Sequence, residues 1–188
     1  MKTDGVDKRT ARTKQVLSDA MFELLKNKKV CEITVNELCA KANINRGTFY
    51  KYYNNVQDVL TKTQDELYGK YEKLFSEVNA LTNPDIFVYE CLKLLKENSS
   101  LSRLLLAAQE YDFILKIHYM EYDSTIAYWK KQFDINDEEL LDRIFTFITY
   151  GTFGLIKKWI EIDFDVSPSE LSGIINNMGY SCVNAFVK

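Results

Sequence analysis

Only two prolines interrupt this chain, and both stand where helices begin. Pro84 follows Asn83 and Pro168 follows Ser167, so a capping side chain precedes a residue with no amide hydrogen to lose. Glycine is scarce as well, at seven residues in 188. With so few breakers, and apolar residues recurring three and four apart, the pattern predicts an all-α fold of about nine helices. Hydrophobic residues make up 46% of the chain and aromatic residues 13%, enough for a proper core.

Residues 1–9 read as a loose basic arm. A first helix then spans about Thr10 to Lys28, with Val16, Leu17, Ala20, Leu24 and Leu25 on one face. Two short helices follow, Val35–Ala42 and Arg46–Tyr52. Asn55 caps a long helix that runs to about Val78, with Asp58 in its first turn where the helix dipole favours an acid. A helix from Pro84 ends near Glu97, and Asn98-Ser99-Ser100 breaks it before the short helix SLSRLLLAA. A further helix covers Asp112 to about Phe133. Another opens at Asn136 to Glu139 and reaches Ile162, and Ser167-Pro168-Ser169-Glu170 starts the last. The chain has no internal repeat and no low-complexity segment.

The run NINRGTFYKYY, Asn43 to Tyr53, carries the functional signal. Thr34 with Glu37 three residues on forms a capping box for the helix before it. Asn43-Ile44-Asn45 makes a tight polar turn, since Asn tolerates left-handed backbone. Asn45 is placed to cap the second helix. Phe49 and Tyr53, four apart, anchor that helix to the core, while Thr48, Tyr50 and Lys51 point away. Gly47 permits close backbone approach. Arg46, in the first turn, can reach a base edge or a phosphate. Two short helices, a tight turn, and a second helix rich in basic and hydroxyl groups describe a helix-turn-helix DNA reader. The same spacing also suits a plain helical hairpin with a solvated face.

The segment from about Arg12 to Leu60 resembles the N-terminal domain of the TetR family of bacterial regulators. The carriers are TKQVLSDAMFELL (Thr13 to Leu25), ITVNELCAKANINRGTFYKYY (Ile33 to Tyr53) and NNVQDVL (Asn54 to Leu60). The resemblance implies a three-helix head that lays its third helix in the major groove. It places Thr34, Asn45, Arg46, Gly47, Thr48, Tyr50, Lys51 and Tyr52 on the DNA face. Where the family has a phosphate-touching Lys just after the cap of helix four, this chain has Val56, so that contact does not carry over. The second half resembles the C-terminal domain of a TetR subgroup common in Firmicutes, through KENSSLSRLL (Lys96 to Leu105) and YGTFGLIKKWI (Tyr150 to Ile160). That subgroup includes an activator of dihydroxyacetone-kinase genes, and some members work through a partner protein.

Charge divides the chain in the same way. Residues 1–62 hold 12 Lys or Arg against 7 Asp or Glu, a net +5; the whole chain is −3, so the remainder carries −8. A basic head on an acidic body suits a protein whose head alone meets nucleic acid. Four cysteines, Cys31, Cys39, Cys91 and Cys182, show no CxxC spacing, so neither a disulfide framework nor a metal site is expected. The charged start, MKTDGVDKRTARTK, is no signal peptide, and no apolar run approaches membrane-spanning length, which points to the cytoplasm. HExxH, GxSxG, Walker and GxGxxG patterns are absent, and Asp137, Glu138 and Glu139 are a helix start. No catalytic residue and no cofactor is expected.

The expected domains are therefore 1–54, a helix-turn-helix head, and 55–188, a helical bundle for dimerisation and for an effector or partner. Gly151 and Gly154, with Lys158 on the same side of one helix, allow close approach to a second copy, and the resemblance implies a homodimer closed by the last two helices. It also implies a pocket among the body helices, for which Tyr71, His118, Tyr122, Trp129, Phe147 and Tyr150 are the candidate lining. Such a lining suits a small apolar or aromatic effector. The functional expectation is a dimeric repressor released by a small ligand. The alternative is a DNA-bound adaptor or activator whose body binds a partner protein.

Overall fold

The computed structural model describes residues 3–78, 84–108, 115, 117 and 119–187. Among them it is all-α: α1 (Thr3–Leu25), α2 (Val35–Lys41), α3 (Arg46–Tyr50), α4 (Val56–Glu77), α5 (Pro84–Glu97), α6 (Ser99–Ala107), α7 (Tyr122–Phe133), α8 (Glu138–Glu161) and α9 (Pro168–Asn184), with one 3₁₀ turn at Val30–Glu32. The chain divides into two compact units. The first comprises Met1–Leu67 with Asn98–Glu110, the second Tyr68–Glu97 with Tyr111–Lys188. The division falls between Leu67 and Tyr68, inside α4, and α6 groups with the first unit. α6 packs along α1, and Leu104 and Leu105 of α6 and Val59 and Leu60 of α4 are buried.

Two expected helix bounds change. α1 begins at Thr3 rather than Thr10, because nothing in residues 3–9 is a proline that would stop it. It also ends earlier, at Leu25, where the Asn27 amide turns back to the Leu24 carbonyl. The helix expected from Asp112 to Phe133 is broken before Tyr122: Met120 and Glu121 form a turn, with the Met120 amide on the Ile117 carbonyl. Neither Gly nor Pro marks that break.

In the first unit, Leu17 and Met21 of α1, Leu38 of α2 and Phe49 of α3 meet with no exposed surface. In the second, Trp129, Leu141, Ile144, Phe145 and Val183 form a core between α7, α8 and α9. The α8–α9 turn is built around Trp159. Its ring meets Phe164 edge-on at 4.7 Å, its Nε1 donates to the Val166 carbonyl at 3.0 Å, and Lys96 of α5 donates to the Phe164 carbonyl at 3.3 Å. Lys96 and Trp159, which open and close two separate family-like strings, thus meet in one cluster. Phe164 takes φ 58°, a left-handed conformation costly for a bulky residue, and its burial against Trp159 offsets that cost.

Candidate functional site

The head motif is set by its caps. Thr34 Oγ1 accepts from the Glu37 amide at 3.2 Å, and Glu37 Oε2 accepts from the Thr34 amide at 3.1 Å. Lys28 also pairs with Glu37, and these donors, Lys28 first, hold its carboxyl down to about 2. After α2 the chain reverses at Asn43, whose φ of 52° is the left-handed geometry Asn accepts. Asn45 then caps α3, its Oδ1 accepting from the Thr48 amide at 2.7 Å. A Cβ on Gly47 would stand 3.3 Å from that same Oδ1, so glycine leaves the cap undisturbed. Phe49 is fully buried and packs on Tyr53 at 5.7 Å, which fixes the roll of α3.

With that roll, Thr34, Asn45, Arg46, Gly47, Tyr50 and Lys51 are exposed, and Thr48 and Tyr52 are partly so. All eight residues expected on the DNA face are thus open to solvent to some degree. Arg46 lies over the Tyr50 ring at 5.7 Å, with Nη2 at 3.5 Å from the hydroxyl. Tyr52 reaches back to Thr10 of α1, oxygen to oxygen at 3.4 Å. Lys62 is committed internally, to the Tyr52 carbonyl at 2.6 Å and to Asp58 at 3.1 Å. Val56 is buried, which explains why an apolar residue suits the first position of α4 here.

The second unit forms a cavity of about 170 Å³ that is partly open to solvent. Tyr71 and Trp129, two of the expected lining residues, do line it. Tyr122, Phe147 and Tyr150 are not among its described lining. Phe147 and Tyr150 are 69% and 55% exposed, because the inward stripe of α8 runs through Phe145, Ile148, Thr152 and Ile156, and 147 and 150 fall on the other side. Tyr122 donates instead to Asp142 at 3.0 Å and packs edge-on against Phe145. His118 lies outside the described residues. The lining that the sequence reading missed includes Phe87, Tyr128, Tyr180 and one acid, Glu121. The phase of α8 was available in the sequence; nothing there singled out Glu121. Tyr71 donates to the Cys91 carbonyl at 3.1 Å, and burial raises both the Tyr71 phenol and the Cys91 thiol well above their usual ranges. Burial also pushes the Glu121 carboxyl up to about 8.

Gly151, Gly154 and Lys158 stand with Phe147 and Tyr150 on the outer face of α8, all exposed. A Cβ on either glycine would meet nothing within 4 Å. On α9, Ile174 and Met178 are exposed in the same manner, at 39% and 55%.

A capped two-helix motif with an open polar recognition helix, on an all-α chain, defines a helix-turn-helix regulator. Residues 82–180, more than half of the chain, match the family described as a transcriptional regulator C-terminal region of TetR type. The chain belongs to the TetR family of transcriptional regulators, a family of regulators and not of enzymes. A 60-residue stretch is 35% identical to YxbF, an HTH-type transcriptional regulator of Bacillus subtilis (strain 168). That match covers 31% of this chain and 16% of the relative, so it spans only a small part of that protein. Among solved structures, the dihydroxyacetone kinase operon activator DhaS is similar at 18% identity and a TM-score of 0.61, over 94% of this chain and 98% of its own. A TetR regulator from Streptococcus agalactiae 2603V is similar at 20% identity and TM-score 0.55, over 92% and 96%. The fatty acid degradation regulator FadR from Bacillus halodurans gives 16% and 0.61, over 93% and 96%. These likenesses establish the shared fold. Among the described residues no helix is long and apolar enough to cross a membrane.

Proposed function

We propose that this chain is a dimeric, DNA-binding repressor whose second unit binds a small effector. The observation that carries the DNA reading is the exposed face of α3. Arg46 and Lys51 have no carboxylate partner among the described residues, and the Asn45-capped helix start lies beside them. Such a surface offers phosphate contacts from Lys51 and Tyr50 and base-edge contacts from Arg46 and Thr48. The cavity supports a ligand-responsive body over an adaptor, for which a filled core with an outward docking patch would be the natural form. In this reading the head corresponds to 1–54, and 55–188 carries dimerisation and effector binding.

The test is selection of bound duplexes from a random pool by the full chain, followed by fluorescence anisotropy. We expect enrichment of a two-fold symmetric site, whose half-sites lie a whole number of helical turns apart. A variant with Arg46, Thr48 and Lys51 all changed to Ala should enrich nothing. If wild type and this variant recover the same pool, the DNA reading fails.

A further inference from the structure

The cavity of the second unit is mostly apolar, with neutral polar groups from Ser124, Thr125, Thr152 and Asn176 and one acid. Among the described residues its lining holds a single carboxyl, Glu121, and no Lys, Arg or His. Glu121 is the residue before α7, yet its side chain does not cap that helix. No hydrogen-bond or ion-pair partner for its carboxyl occurs among the described residues. Glu121 is half-buried and lines the cavity. An isolated acid in such a place costs stability, whether it is held neutral or charged, unless something pairs with it.

Resting on the reading of this cavity as the effector site, we infer that its ligand is a small organic monocation with an aromatic or apolar body, paired with Glu121. Three features carry the choice. A ligand ammonium supplies a counter-charge that the described lining does not, in a medium where Coulomb attraction is little screened. Aromatic side chains, among them Tyr128, Trp129 and Phe145, line the same space, and aromatic rings attract a cation. A carboxylate ligand would instead set two acids in one apolar pocket, which disfavours ionisation of either. Size narrows the class further. At about 170 Å³ the cavity is close to one of ~150 Å³ that is known to hold benzene, so it takes one ring and a short tail.

Three near-isosteric probes separate the possibilities: 2-phenylethylamine (a cation at neutral pH), 2-phenylethanol (neutral) and 3-phenylpropionate (an anion). Each is titrated calorimetrically into the full-length protein, wild type and Glu121→Gln. We expect the amine to bind wild type roughly tenfold or more tighter than the alcohol, and the propionate weakest. Glu121→Gln should abolish the preference for the amine while still binding the alcohol, which also shows that the cavity is intact. If the alcohol or the propionate binds wild type as tightly as the amine, the cationic class is overturned while the cavity stands as a ligand site. If the amine binds the Gln variant as well as wild type, the role of Glu121 is overturned. If none of the three binds, the cavity is not a ligand site of this size, and the DNA-binding reading is left to its own test.

Discussion

Arg46 and Tyr50 stand one helical turn apart and touch, so the guanidinium is held over the phenol ring rather than swinging free in water. A pre-placed Arg is suited to a bidentate base contact, whereas Lys51, a mobile point charge, is suited to a phosphate. Arg46→Ala should therefore relax sequence choice at one base position, at a cost of roughly 1–3 kcal/mol. Lys51→Ala should weaken all duplexes alike and lower the slope of log affinity against log salt by about one unit. Anisotropy titrations on selected and mismatched duplexes at several salt concentrations check both, and a changed slope for Arg46→Ala alone would reverse the roles. A second residue-scale prediction concerns Glu121. Its carboxyl titrates at about 8 in the folded chain, against an ordinary 4.5. Between those values the folded state holds a proton that the unfolded state has lost, so stability falls as pH rises across that window. Of the titratable neighbours in the lining, Tyr71 and Cys91 stay neutral there because burial raises them. Glu121→Gln, which cannot ionise, should thus raise the melting temperature more at pH 8 than at pH 5. An equal shift at both would mean the carboxyl is not desolvated. At this scale the head was legible in the sequence, because caps and turn residues act over three or four positions: Thr34–Glu37 and Asn45–Thr48 were readable as spacings. Glu121 was not, since its isolation is created by residues from α4, α5, α8 and α9 that only the fold brings around it.

Among the elements, the helices with a proline or a side-chain cap at the start were the most legible. α5, α8 and α9 begin within two residues of where Asn83-Pro84, Asn136 to Glu139 and Ser167-Pro168 place them. The misses came where no local signal exists. The turn at Met120–Glu121 carries no breaker, and the early start of α1 has no cap pattern to announce it. The pocket residues Phe147 and Tyr150 were misplaced by counting aromatics instead of following the phase of α8, which turns one aromatic in at Phe145 and the next out at Phe147. α4 carries its own point of weakness. Gly69 sits within it, exposed, with nothing within 4 Å of where a Cβ would stand, and two residues past the boundary between the compact units. Gly69→Ala should raise stability by up to about 1 kcal/mol, through helix propensity alone. If α4 transmits effector binding to the head, stiffening it there should also raise the ratio of DNA affinities measured without and with 2-phenylethylamine. A stabilised variant with an unchanged ratio would exclude α4 as the transmitter. Leu67 would be a poor choice for this test, because it is fully buried and its loss would report on packing.

For the whole molecule, the outer faces of α8 and α9 pose the remaining question. A face bearing Phe147 and Tyr150 beside two glycines is expensive to leave in water, and glycines with no neighbour in their own chain leave room for another helix to come close. Two-fold symmetry would let the same face cover itself, each α8 and α9 meeting their counterparts, and would present two α3 helices to the successive half-sites of a symmetric operator. The acidic balance of residues 63–188 does not oppose this, because the centre of the face is apolar and its charged members, Arg143 and Lys158, flank it at the two ends. If that seam forms, Phe147→Asp and Gly154→Leu should each leave a monomer at micromolar concentration where wild type is dimeric. Neither change should harm the fold, since Phe147 is 69% exposed and a side chain at Gly154 meets nothing within 4 Å of its Cβ. Sedimentation velocity gives the mass, and thermal melting shows whether the monomer stays folded. DNA binding then supplies an independent reading. A folded monomer should retain weak, salt-sensitive attachment through one head but lose the gain that a two-fold site has over a single half-site. If both variants stay dimeric, the seam lies elsewhere and the glycines serve some other contact. If they become monomeric yet bind the symmetric duplex as tightly as wild type, the two heads do not act as a pair.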